Sequence, residues 1–209
     1  MTKNLDPLIE ATPANGTITL KPGIWTTQAV GTANTAEDVK RDLKEGVTLE
    51  GPKPGEGIAT IVCIRPLTAE AGDASVIRGA GRNTVRNLTV DGGVPVADGV
   101  PQSTPYPGKR NLVFLKGDGN VIENVIGRRQ YGVWKEGKES FGLSAWGSPT
   151  APSRITNCQV VDVVGDYATA IQSTEIRHCI VNFPRPAKGT RAFRAAFNMG
   201  DTVNGVVED

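Results

Sequence analysis

The side chains of this chain with the most chemical potential are the basic and aromatic residues gathered in four stretches, 91–110, 127–140, 165–167 and 182–194. Ten basic residues stand against five acids there, while the rest of the chain carries 13 against 17. Arg128, Arg129, Tyr131 and Lys135 lie closest together and form the candidate catalytic set. Lys109, Arg110, Trp134, Arg185, Lys188, Arg191 and Arg194 flank them as candidate ligand-binding residues. Guanidinium groups grip carboxylates bidentately and aromatic faces pack on sugar rings, so such a groove suits an acidic chain ligand. The plainer alternative is a set of solvated loops rich in Lys and Arg.

Other chemistries find less support. No GxSxG, HExxH, EF-hand or P-loop pattern occurs, and Gly79-Ala80-Gly81 is only a turn. Cys63, Cys158, Cys179 and the single His178 lack the spacing of a zinc site, so no metal ligand is assigned. Asp91, Asp162 and Asp166 are the carboxylates a hydrolase would have to bring together. With 23 basic and 22 acidic residues the chain is not expected to bind nucleic acid. No 18-residue apolar stretch is present, so no membrane partner is expected, and the opening MTKNLDPLIEATPANG lacks the apolar run of a signal peptide.

Elements that could hold such residues are revealed by a repeat. Five segments share the frame apolar, any, Asn-like, apolar: Val85–Leu88, Ile122–Val125, Ile155–Cys158, Ile176–Cys179 and Val203–Val206. Their third positions, Asn87, Asn124, Asn157, His178 and Gly205, are spaced 37, 33, 21 and 27 residues apart. A fainter series lies between them at 111–115, 141–145, 168–172 and 194–198. Strands this short bury their apolar side only by stacking on the equivalent strand of the next repeat. Asn side chains can then hydrogen-bond up the stack, which makes His178 a ladder member rather than a catalyst. Cys158 and Cys179 should be adjacent in the core as two buried thiols. With 25 Gly and 14 Pro among 209 residues, many short strands joined by turns in a single domain, 1–209, are expected.

The Asn-containing short-strand repeat resembles the right-handed parallel β-helix superfamily, the pectate-lyase-like folds. The opening is similar too. Leu8–Ala11 looks like its capping helix (within 5–16), 16–20 like a strand, and Pro22-Gly23-Ile24-Trp25 like its entry turn. Segments 46–51 and 76–79 are similar to its early rungs, and 85–209 holds the clearest ones. Thr35 and Asp38, followed by Val39, Leu43 and Gly46, read as a short inserted helix over 35–46. Ending at Asp209 directly after a ladder strand, the chain reads as a fragment, with a missing C-terminal segment or end-to-end association covering the open end.

The resemblance implies an all-β, right-handed parallel β-helix that is extracellular or at a cell surface and binds an acidic, uronic-acid-type polysaccharide. The leading expectation is a polysaccharide lyase. β-Elimination needs a neutralised substrate carboxylate, a base, which is Arg or Lys in β-helix lyases, and an acid for the leaving oxygen, for which Tyr is a candidate. The alternatives are a non-catalytic glycan-binding or structural β-helix of the tailspike or adhesin kind, and a polygalacturonase-like glycoside hydrolase, whose paired Asp motifs are not found. Calcium is a common partner in that family, but no dedicated loop for it is visible.

Overall fold

The computed structural model describes residues 2–28, 30–31, 41–64, 74–93, 96–97, 100–101, 110–132, 140–165, 168–182, 195–198 and 206–208. The chain is mostly β, and among the described residues there is one short helix, Asp6–Ala11, where the capping helix was expected. Its strands form a 12-stranded and an 8-stranded sheet, both dominated by parallel pairs, and the sheets do not close into a barrel. The arrangement is consistent with a β-solenoid.

The larger sheet folds into two panels along the column of Asn87, Asn124, Asn157 and His178. Thr84–Asp91 and Val121–Arg128 run through the fold line, whereas later repeats split into Arg154–Thr156 with Gln159–Val161 and Glu175–Arg177 with Ile180–Asn182. Arg86 pairs with Glu123 and Leu88 with Val125; the same register continues through Thr156 and Arg177, so the four column residues lie side by side. Each turns the chain with a left-handed backbone, φ being 57°, 52°, 53° and 51° in order. Asn and His tolerate this region better than other side chains. That explains the frame physically: the repeat needs a residue that bends a strand without breaking its register. Asn124 Nδ2 donates to Asn87 Oδ1 at 3.1 Å, on the outside of the protein.

Inward residues stack by type. Ile18, Leu49, Val85, Ile122, Ile155 and Ile176 form one buried row of the first panel. In the second panel Trp25, Ile61, Val90 and Val160 form another, with Gly127 between the last two. A Cβ at Gly127 would strike Leu112 at 2.9 Å, because leucines of the facing sheet already fill that space. The facing panel comprises Ala74–Gly79, Arg110–Leu115, Ser140–Ala145, Ala168–Ser173 and Ala195–Asn198, in parallel and in register. Each fully buried aliphatic side chain contributes roughly 1.5–3 kcal/mol, so it is the rows rather than any single contact that hold the strands.

A second polar column, inside the fold, was not foreseen. Asn83, Asn120 and Ser153 are fully buried and precede the outer column by four residues. Asn120 Oδ1 accepts from the Asn83 N–H at 3.0 Å, and Ser153 Oγ accepts from the Asn120 N–H at 2.9 Å. Asn120 Nδ2 donates to the carbonyls of Lys116, Gly117 and Trp146. The column thereby satisfies turn carbonyls that would otherwise be buried without partners.

Two expectations are corrected. Residues 41–46 are turn and bridge rather than helix: Leu43 bridges Gly79, and its N–H donates to Arg78 O at 2.9 Å. Backbone pairing with the facing sheet takes the place of helical hydrogen bonding at Leu43; residues 35–40 of the expected helix lie outside the described residues. The fifth ladder member is also misplaced. Val206–Glu208 pairs with Glu175–Arg177 so that Val207, not Val203, lies beside Ile176. Gly205 itself lies outside the described residues.

Candidate functional site: a basic corner beside an aromatic face

The second panel ends in one row, Asp91, Arg128, Val161 and Asn182. The chain then turns, with Arg129 and Asp162 both left-handed at φ 56°, and re-enters the facing panel at the row of Asn111, Phe141, Thr169 and Ala195. The four insertions therefore leave from one row and return to one row. Their ends define a common corner.

At this corner Asp91 is fully buried, and both of its oxygens are engaged. Oδ1 accepts from Arg129 Nε at 2.6 Å and from the Gly93 N–H at 2.9 Å. Oδ2 accepts from Arg128 Nε at 2.8 Å and from Arg129 Nη2 at 2.6 Å. Arg129 makes a two-pronged fork, the strong form of this pairing. The guanidinium-bearing side chains stay 43% (Arg128) and 28% (Arg129) exposed, so one carboxylate holds two cations at the surface with a net charge of about +1.

The remaining candidates are placed less fully. Tyr131 lies in the short strand Tyr131–Gly132, whose backbone pairs with Arg110 on one side and with Val164 on the other. Tyr131 and Arg110 are thus backbone neighbours. Lys109, Trp134, Lys135, Arg185, Lys188, Arg191 and Arg194 lie outside the described residues. So does Asp166, while Asp162 is partly exposed.

An aromatic surface on the outer side of the facing panel was missed by the sequence reading. Arg78, Phe114, Ser144, Gln172 and Asn198 follow one another along the stack. Phe114 stacks on Phe141 with centroids 5.6 Å apart and meets Trp146 edge-on at 5.7 Å. Trp146, 47% exposed, donates its Nε1–H to Gln172 Oε1 at 3.1 Å, and Ser144 Oγ donates to the same oxygen at 3.2 Å. With its oxygen so occupied, the amide nitrogen of Gln172 is left as a donor. Lys116 Nζ sits 5.4 Å from the Phe114 ring, and Asp42 fixes Arg78 through two hydrogen bonds of 2.6 and 2.8 Å. Phe141 directly follows Ser140, where the insertion of residues 133–139 lands, so this face adjoins the corner. The sequence signal for this face is an aromatic, Phe114, at an outward strand position.

Comparison with known proteins yields no match. No family model, no curated protein and no solved structure is similar to the chain.

Among the described residues no group of three or more His, Cys, Asp or Glu could hold a metal ion, and both oxygens of Asp91 are taken by guanidinium and amide donors. The described residues do not fit calcium. Among them, too, no helix is long and apolar enough to cross a membrane.

A separate cleft of about 330 Å³ opens at the outer column, lined by Thr19, Lys21, Glu50, Lys53 and Arg86 among others. The hydrogen bond from Arg86 holds the Glu50 carboxyl below its usual range, with Thr19 and the Lys53 charge assisting against partial burial. A depressed folded-state value gives stabilisation that is complete above the unfolded value near 4.3 and lost as pH falls through the folded one. Glu50→Gln should therefore cost less than about 1 kcal/mol at pH 7, and the difference from wild type should vanish at acidic pH in chemical denaturation.

Proposed function

We propose that this protein is a right-handed parallel β-helix of the pectate-lyase-like kind that recognises an acidic, uronic-acid-type polysaccharide and cleaves it by β-elimination. The reading is carried by the Arg128–Asp91–Arg129 cluster. It is a preorganised, net-positive pair of guanidinium groups beside an aromatic face, and such a pair neutralises a sugar carboxylate and so acidifies the neighbouring C–H. Within this scheme Arg128, the more exposed of the two, contacts the carboxylate, and Asp91 positions both arginines. Lys135 and Tyr131 are the base and the acid. Lys109, Arg110, Trp134, Arg185, Lys188, Arg191 and Arg194 extend the contact along the chain, and Trp146 supplies a stacking face for a sugar ring. The setting is extracellular or at a cell surface.

A non-catalytic glycan-binding β-helix is the second reading. It is favoured by the engagement of both candidate catalytic arginines with Asp91, which leaves Arg128 and Arg129 suited to grip rather than to accept a proton. A hydrolase falls behind, since all of Asp91's acceptor capacity at its two oxygens is directed to arginine and backbone.

Incubation with alginate, pectate and hyaluronan, followed by ultraviolet absorbance of unsaturated sugar ends, tests the activity. A rise on one of these substrates supports elimination; retention on an acidic-glycan column without a rise supports the binding reading. Absence of both overturns the proposal. Arg128→Ala should weaken retention about tenfold and reduce its salt dependence, measured by elution at graded ionic strength. Trp146→Ala should weaken it by a similar factor with unchanged salt dependence.

A further inference from the structure

We propose that Cys158 and Cys179 form a thiol–disulfide exchange site that links two neighbouring strands covalently. The pairs Thr156–Arg177 and Gln159–Ile180 bracket the two cysteines, so they are directly opposed in a parallel stack. Parallel neighbours lie about 4.8 Å apart, inside the roughly 4.4–6.8 Å Cα separation that a disulfide spans. Each cysteine follows a left-handed residue, Asn157 or His178, and both continue the inward row of Leu88 and Val125. The Cys158 thiol donates to Thr156 O and the Cys179 thiol to Arg177 O, each at 3.2 Å. Both cysteines are free thiols in this structure.

Access orders the chemistry. Cys158 is buried, and Cys179, half-buried, is the sulfur that a reagent meets first. Burial pushes the Cys158 thiol up, and the neighbouring Cys158 side chain holds the Cys179 thiol down, which favours Cys179 as the attacking thiolate. With a low-molecular-weight disulfide such as oxidised glutathione, the Cys179 thiolate attacks one sulfur, the reagent's S–S bond breaks, and one glutathione thiolate leaves. Cys158 sulfur then attacks the Cys179 sulfur of the mixed disulfide, its proton passing to solvent or to a glutathione thiolate, and the second glutathione leaves. Two protein thiols are oxidised and one reagent disulfide is reduced to two thiols. Cys63 lies in a different row, beside Thr27, and takes no part.

The test uses the full chain, treated with oxidised glutathione, alkylated, digested and analysed by mass spectrometry. A linked Cys158–Cys179 peptide is expected, with Cys63 the one cysteine of three still alkylated, reversal by dithiothreitol, and a rise in Tm on the order of 5 °C. Cys158→Ser should instead accumulate a glutathione adduct on Cys179. Wild-type protein that keeps three free thiols, or that carries a lasting adduct on Cys179 without the link, overturns the proposal.

Discussion

Replacing Asp91 by Ala is expected to destabilise the protein by about 2–4 kcal/mol, read by chemical denaturation at neutral pH. The carboxylate is fully buried and accepts four hydrogen bonds, three of them from Arg128 and Arg129. Its loss leaves two like charges on consecutive residues, Arg128 and Arg129, without the counter-charge they share. Their partial exposure keeps the cost below that of a wholly buried pair, because water can re-solvate the guanidinium groups. Asp91→Asn keeps the shape and one acceptor oxygen, and should cost roughly half as much. A change within about 0.5 kcal/mol for Asp91→Ala would mean that the cluster does not order the corner.

Asn120→Ala should cost about 2–4 kcal/mol. Its side chain serves the Asn83 N–H and the carbonyls of Lys116, Gly117 and Trp146. All of these lie at turns between panels, where a lost partner is not readily replaced by water. Asn124→Ala is the matched comparison. It removes the exposed outer bond to Asn87 and puts Ala in a left-handed bend, for about 1–2 kcal/mol. Equal costs at the two sites would contradict the division into an inner column that satisfies turns and an outer one that bends strands.

The outer column was legible because its spacing is set by the stack and its residue type by the backbone. Only a few side chains tolerate a left-handed bend, so Asn recurs at 87, 124 and 157. Its fifth member was not legible. Val203, Val206 and Val207 offer two apolar registers four residues apart, and strand pairing decides between them. The inner column carried the same signal one turn earlier, as Asn83 and Asn120 each stand four residues before an outer Asn. The 37-residue offset that relates Asn87 to Asn124 also relates Asp91 to Arg128, so their pairing could have been read from the repeat. The aromatic face could not: Phe114, Phe141 and Trp146 meet only because two strands some thirty residues apart pair, which no local pattern marks.

In-register stacking of the repeats is what brings Asp91 beneath two arginines and the ends of the insertions to one corner, and it is open to a direct measurement. Nuclear magnetic resonance of the labelled protein should give left-handed backbone couplings at Asn87, Asn124, Asn157 and His178. It should also give cross-strand proton contacts joining Leu88 to Val125, Ile126 to Gln159 and Gln159 to Ile180. Ordinary extended couplings at those four residues, with no contacts at these offsets, would contradict the stacking and remove the basis for the shared corner.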